Sequence, residues 1–299
     1  MSDNKSDLNA FLKSETEKWD GIMVSVKASI PERMLIKKVS IEKLHPNPDD
    51  EFCWPSIGPN FSIISDYEAR YQRYGTMKKP DEIVEEPIMV EKVYPDGYRI
   101  LNGHHRWAAY RRIGVKKIGV SIVNLTQATD IENMLKSSKH DKLITMDLDE
   151  VIFCQNENEP AEKALPFPFN RMYKERLHLG VPGFLHEASK HGYDIWVYTA
   201  KYYSLEYIRA YLKKYSIKVD GIITGTARKM KDAEAAKKKT AELLENTYKE
   251  TIHVDRKVVM RTFSDSAEFE DYELTGPDTE WSREVMNIIR GFNGNEEDQ

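Results

Sequence analysis

At 299 residues, with 40% hydrophobic and 31% charged positions, the chain has the size and composition of two globular domains, each able to bury a core without disulfides. No uninterrupted apolar run reaches membrane-spanning length, so no membrane partner is expected, and 44 basic against 49 acidic residues (net −5) argue against a large nonspecific affinity for phosphate backbones while leaving room for a local basic groove. Cys53 and Cys154 form neither a disulfide framework nor a metal-ligand spacing, and the polar, acidic N-terminus lacks the character of a secretion signal or transit peptide, so a cytoplasmic location is expected.

In chain order, residues 1–33 read as a flexible arm or an accessory helix. Strand-sized apolar segments follow at 34–41, 87–90, 98–101 and 119–125. Between the first two lies a long stretch, 45–61, rich in Pro, Asp and aromatics, followed by a helical segment at 65–75; such a connection often carries function. Residues 102–115 read as a glycine turn opening a helix. The first domain, 34–138, is expected to end near Ser138 with a helix and polar linker, and the second to span 139–299. In the second, strands at 142–153, 193–199, 219–224 and 250–255 alternate with helices at 180–192, 203–215 and from about Asp232, which predicts an α/β parallel sheet with chemistry at the carboxyl ends of its strands.

Asp147 and Asp149 end the first strand of that sheet and are followed by more apolar residues, a costly place for two acids. With magnesium held by Asp147 and the backbone near Asp149, Asp147 can attack phosphorus to form an aspartyl phosphate, while Asp149 protonates the leaving oxygen and then activates water. The alternative is a pair of turn acids capping a following helix. Thr199 ends the second strand, where its hydroxyl and the amides of Ala200 and Lys201 can hold phosphoryl oxygens, and Asp255 ends the last strand as a further metal ligand.

This ordered set, Asp147-Leu148-Asp149-Glu150-Val151, Thr199, a lysine in 228–232 and Asp255, resembles the haloacid dehalogenase superfamily over about Lys142 to Arg261. The resemblance implies a Rossmannoid parallel-sheet phosphatase domain using Mg2+, with Asp147, Asp149 and Asp255 at the metal and a lysine beside the nucleophile. Lys231 fits that separation best, with Lys229 next. Glu150 stands where many members carry a small residue and is expected to narrow the pocket. The segment Val254-Asp255-Arg256-Lys257 lacks the second acid that many members carry, for which Asp265 or Glu268 can substitute. The short insertion after the first strand leaves no full lid domain.

Across Met34 to Leu125 the strand pattern and the turn Asn102-Gly103-His104-His105-Arg106 resemble the ParB and sulfiredoxin superfamily, an α+β fold. A glycine turn opening a helix offers backbone amides to an anion, to which His104, His105 and Arg106 add donors. His104 stands where sulfiredoxins carry their catalytic cysteine, which excludes that chemistry. The turn is closer to that of the free-serine kinases of the superfamily, with Asn102 in place of Asp. By that resemblance Gly103, His104, His105 and Arg106 bind ATP or ADP, and Asp49, Asp50 or Glu51 supplies the base, Glu51 standing as the candidate.

The combined expectation is a bifunctional phosphotransfer enzyme, in which a nucleotide-binding, kinase-like domain precedes a phosphatase acting on a phosphorylated small molecule. Two alternatives stay open. One is nucleic-acid end processing, suggested by the basic residues Arg111, Arg112, Lys116 and Lys117 near the turn; the other is a nucleotide-sensing regulator with a degenerate phosphatase fold.

Overall fold

Short apolar runs bounded by Pro, Gly and polar turns become strands, and runs with apolar residues three and four apart become helices. The computed structural model describes residues 3–78, 82, 85–227, 233–266 and 268–294. Contacts among these residues divide the α/β chain into two units, with the boundary at Leu125.

The first unit contains α1 (Asp3–Trp19), β1 (Val24–Ser25), α2 (Ile30–Met34), β2 (Lys37–Ser40) and β3 (Leu44–His45), then α3 (Phe61–Tyr74), β4 (Ile88–Tyr94), β5 (Tyr98–Asn102), α4 (His104–Arg112) and β6 (Lys117–Ile122). Its mixed sheet has the order β2-β6-β4-β5-β3, with β1 added against β4. Trp107, Ala108 and Ala109 on α4 are fully buried, the two alanines allowing the helix to lie close to its neighbours. The first residues are a helix rather than a flexible arm: Leu8 and Leu12 are buried in the same core and the Phe11 ring lies 6.1 Å from that of Trp107. Their spacing of three and four residues gives α1 one apolar side, enough to hold it down.

The second unit begins with α5 (Ala128–Lys136), β7 (Lys142–Asp147), α6 (Phe169–Met172), α7 (Val181–Lys190), β8 (Tyr193–Thr199) and α8 (Leu205–Lys214). It continues through β9 (Gly221–Thr224), α9 (Ala233–Thr247), β10 (Glu250–Val254), β11 (Val258–Phe263), β12 (Phe269–Glu273) and α10 (Trp281–Gly294). The sheet order is β12-β11-β10-β7-β8-β9. Strands β10, β7, β8 and β9 are parallel, as expected from the alternation of strands and helices, but β11 and β12 extend the sheet antiparallel. The wholly parallel sheet therefore needs correcting. The turn Asp255-Arg256-Lys257 is too short for a helical crossover, and the Asp255 amide donates to the Val258 carbonyl at 2.9 Å, closing a hairpin.

The helix α5, expected to end the first domain, belongs to the second. Ile131 and Met134 are buried with Leu143, Trp196 and Tyr248, and Thr126 exchanges hydrogen bonds with Thr224 through both amides, each accepted by the other's hydroxyl at 3.1 and 3.0 Å. These polar and apolar ties to β9 move the boundary from Ser138 to Leu125. Trp196 fits beside β9 because residue 221 is glycine: a Cβ there would fall 1.9 Å from the indole. No helix among the described residues is long and apolar enough to cross a membrane.

Candidate functional site

Parallel strands deliver their last residues to one edge, and in the second unit those residues are the acids and the threonine singled out in the sequence. Asp147 pairs with Tyr198 in the β7–β8 register, and Asp255 follows Val254, which pairs with Met146; Asp147 and Asp255 therefore stand one step past the same rung. Asp147 caps the wide helical turn Leu148–Ile152, its Oδ1 accepting the Asp149 amide at 2.6 Å and the Glu150 amide at 2.8 Å. The capping role is thus real, and it orients the carboxylate by one oxygen.

Asp149 faces the end of β8. Its Oδ2 accepts the hydroxyl of the fully buried Thr199 at 2.6 Å, and the Lys201 ammonium stands 3.1 Å from its Oδ1. The Lys201 amide donates back to the Thr199 hydroxyl at 3.0 Å, so one of the amides expected to meet phosphoryl oxygens is used in fixing the threonine. Burial pushes the Asp147 carboxyl above its usual range, reinforced by the charges of Asp149 and Glu150 and opposed by the two amides it accepts. The Tyr198 hydroxyl is pushed up to about 12 by burial and by the charges of Asp147, Asp255 and Glu150. Three carboxylates bear on one phenol, so negative charge collects at this edge.

A cavity of about 390 Å³ opens here, lined by Asp149, Glu150, Phe153, Glu175, Lys201 and Tyr203. Glu150 is therefore on its wall. Among the described residues no group of three or more His, Cys, Asp and Glu side chains is gathered closely enough to hold a metal ion. Asp265 and Glu268 do not supply the missing acid: they follow β11, whose end Phe263 pairs with Glu250, at the opposite end of β10 from Asp255. Lys229 and Lys231 lie outside the described residues.

Arg256 was not foreseen. Its Nε donates to the Glu150 carbonyl at 2.7 Å, a terminal nitrogen meets His178 Nε2 at 3.1 Å, and the other pairs with Glu159, tying the turn after β10 to the segment after β7. Only its place directly after Asp255 marked it. His253 was also missed: it lies between Thr145 Oγ1 (3.1 Å) and the Tyr198 hydroxyl (3.3 Å), and burial lowers its pKa.

In the first unit, Gly103 adopts φ +101° and caps α4, the left-handed conformation that the glycine turn requires. The two histidines and the arginine of the turn are committed to the protein itself. His104 is buried, its Nε2 accepts the Asn47 amide at 3.2 Å, and its ring stacks on Phe52 with centroids 5.4 Å apart. His105 Nε2 accepts the Asn60 amide at 3.1 Å, and burial lowers its pKa. Arg106, also buried, pairs with the Glu86 carboxylate at 3.0 Å and donates to the Glu86 carbonyl. The two rings thus pin down the loop 45–61 by accepting hydrogen bonds rather than donating them. Glu51 opens the short helical turn Glu51–Cys53 within that loop, and its neighbour Phe52 makes the contact with both histidines.

Two of the basic residues expected to form a cluster near this turn are met by carboxylates. Arg111 meets Glu42 at 3.3 Å and covers the Phe11 ring at 3.8 Å, while Arg112 pairs with Glu68 at 3.1 Å.

Residues 74–139 match the ParB N-terminal domain, which supports the ParB-like reading of this part of the chain. No curated protein matches. Among solved structures, the C-terminally truncated chromosome-partitioning protein ParB from Caulobacter crescentus, complexed with CTP-gamma-S, is 25% identical with a TM-score of 0.24, the match covering 34% of this chain and 58% of that one. The C-terminal domain of the coenzyme A biosynthesis bifunctional protein CoaBC is 14% identical with a TM-score of 0.18, covering 53% of this chain and 98% of that one.

Proposed function

We propose that the second unit is a phosphomonoester hydrolase of the haloacid dehalogenase kind, with Asp147 as nucleophile, acting on a phosphorylated small molecule. The observation that carries the reading is the meeting of Asp147, Asp149 and Thr199 at one strand edge, with the Thr199 hydroxyl on Asp149 at 2.6 Å. One Asp147 oxygen is held by amides and the other attacks phosphorus. The P–O bond to the leaving group breaks, Asp149 gives that oxygen a proton, and the phosphoryl group rests on Asp147. Asp149, now a carboxylate, takes a proton from water, whose oxygen attacks phosphorus and releases inorganic phosphate and free Asp147. Lys201, exposed and 3.1 Å from Asp149, would meet phosphoryl oxygens in this reading.

The donor set suits magnesium, since Asp147 and Asp255 offer hard carboxylate oxygens at an edge where like charges already crowd Tyr198. Those two carboxylates and the Asp149 carbonyl would hold the ion, which supplies neutralisation of phosphate charge. Purified full chain with magnesium and p-nitrophenyl phosphate should release nitrophenolate, and Asp147→Asn should abolish it. Equal turnover by that variant removes Asp147 as nucleophile.

For the first unit the proposal is nucleotide binding at the start of α4, with ATP or ADP as the ligand and phosphoryl transfer assisted by Glu51 completing the bifunctional reading. The match of residues 74–139 to the ParB N-terminal domain and the left-handed Gly103 at a helix start support it. Calorimetric titration with ATP, ADP and CTP should show binding that His105→Ala and Arg106→Ala weaken; unchanged titrations would overturn the assignment. Glu51→Gln should preserve binding while stopping transfer to a hydroxyl acceptor.

A further inference from the structure

The cavity of about 390 Å³ beside the strand edge is lined by Asp149 and not by Asp147. In the hydrolase reading Asp149 protonates the leaving oxygen, so a cavity opening on Asp149 is where the leaving group lies. Three of its lining side chains are carboxylates, Asp149, Glu150 and Glu175, against one cation, Lys201, which already stands 3.1 Å from Asp149. Glu175 is fixed by neutral donors: the Tyr207 hydroxyl donates to its carboxylate at 2.6 Å, Tyr203 bonds the same carboxylate, and the Tyr211 hydroxyl donates to its carbonyl at 3.0 Å. These hydroxyls orient the carboxylate without cancelling its charge. Burial raises the Tyr203 pKa, and the charges of Glu175 and Asp149 add to it.

The rest of the wall is aromatic. Phe153 meets Tyr203 edge-on with centroids 6.2 Å apart, and Tyr203 stacks on Tyr207 with the rings 2° from parallel. A partly exposed ring beside carboxylates that are not neutralised attracts an organic cation. A leaving group with a second negative charge would be repelled by Glu150 and Glu175, and a neutral one would use the rings but leave the carboxylates unpaired. Arg176 bears on the lining residue Cys154, but its guanidinium donates to the Asn156 and Glu159 carbonyls and does not line the cavity.

We propose that the substrate is the phosphomonoester of an amino alcohol, its ammonium held against the Tyr203 ring and the Glu175 carboxylate. This rests on the phosphatase reading of the second unit. The P–O bond to the alcohol breaks, the alcohol oxygen takes the proton of Asp149, and the amino alcohol leaves with its positive charge unchanged.

The test compares phosphocholine with 3,3-dimethylbutyl phosphate, which has the same shape with carbon in place of the charged nitrogen, and phosphoethanolamine with propyl phosphate. Phosphate release by the full chain with magnesium should favour the cationic member of each pair by roughly tenfold in kcat/KM. Tyr203→Leu and Glu175→Gln should each shrink that ratio several-fold, Gln keeping an acceptor for Tyr207, and Tyr203→Phe should preserve it. A second arm needs no turnover: calorimetry of the full chain with choline and with 3,3-dimethylbutanol should show tighter binding of choline, lost in Tyr203→Leu. Hydrolysis of p-nitrophenyl phosphate with no preference for the cationic esters, or with faster release from a sugar phosphate or a nucleoside monophosphate, would overturn the proposal and leave the hydrolase reading standing. Hydrolysis of no ester, with choline still preferred over the neutral alcohol, would remove the hydrolase reading and keep the cation site. Loss of both turnover and choline binding would overturn both.

Discussion

The strand edge around Asp147 and the helix start at Gly103 were both legible as short motifs, yet their side chains are arranged in opposite ways. At the first, like charges are brought together: Asp147, Asp255 and Glu150 all bear on Tyr198, and burial raises the Asp147 carboxyl. At the second, three polar side chains are met by partners from their own unit, His104 by the Asn47 amide, His105 by the Asn60 amide and Arg106 by Glu86. Crowded like charges cost stability and are relieved by a ligand; satisfied hydrogen bonds stabilise a loop whether or not a ligand comes. Motif spacing does not distinguish the two situations, because the partners come from distant parts of the sequence.

Substitutions at the two places should therefore fail differently. The largest effect is expected from Asp147→Asn: phosphate-ester turnover should fall at least about a thousandfold, while the amide Oδ1 still accepts the Asp149 and Glu150 amides and thermal melting shows no loss of stability. Thr199→Val should come next, lowering kcat by roughly a hundredfold by removing the donor on Asp149, read from steady-state kinetics. His104→Ala belongs to the other kind. It leaves the Asn47 amide without its acceptor and a void under Phe52, so denaturant melts should show a loss of about 2–3 kcal/mol, with phosphate-ester turnover unchanged at temperatures where the chain is folded.

The smallest effect is a pH dependence of the loop. The His105 pKa is lowered from 6.5 by burial, with the charge of Asp50 opposing, so the unfolded chain takes up a proton at higher pH than the folded one. The contribution of His105 to stability is present above about pH 6.5 and is lost as the pH falls from there through the lower folded value. Amide protection factors across residues 45–61, which remove the intrinsic pH dependence of exchange, should fall over that range, and His105→Gln, which retains an acceptor for Asn60, should flatten the response. Equal protection factors at pH 7 and pH 5 in the unmodified chain would show that the histidine latch contributes nothing.

The strands of the second unit were readable because β7 and β8 are largely apolar runs ending in Asp and Thr, while β10 alternates buried and half-buried residues and is followed directly by Asp255. The hairpin β11–β12 was not: Glu270, Asp271 and Glu273 make β12 read as a polar loop, and its pairing depends on a neighbour already in place. The allegiance of α5 was hidden for a similar reason, since its apolar Ile131 and Met134 say that one face is buried but not which sheet buries it. At the site, Asp147, Asp149, Thr199 and Asp255 were found from strand ends, whereas Arg256 binds groups from the Glu150, Glu159 and His178 segments and leaves no local pattern.

The nucleophilic role of Asp147 is tested most directly by acid-quenching the full chain during turnover of p-nitrophenyl phosphate with magnesium and locating any protein-bound phosphate by peptide mass spectrometry. The account predicts an acyl phosphate on the peptide containing Asp147, absent from Asp147→Asn. Turnover with no phosphate on that peptide, and undiminished in Asp147→Asn, would contradict it.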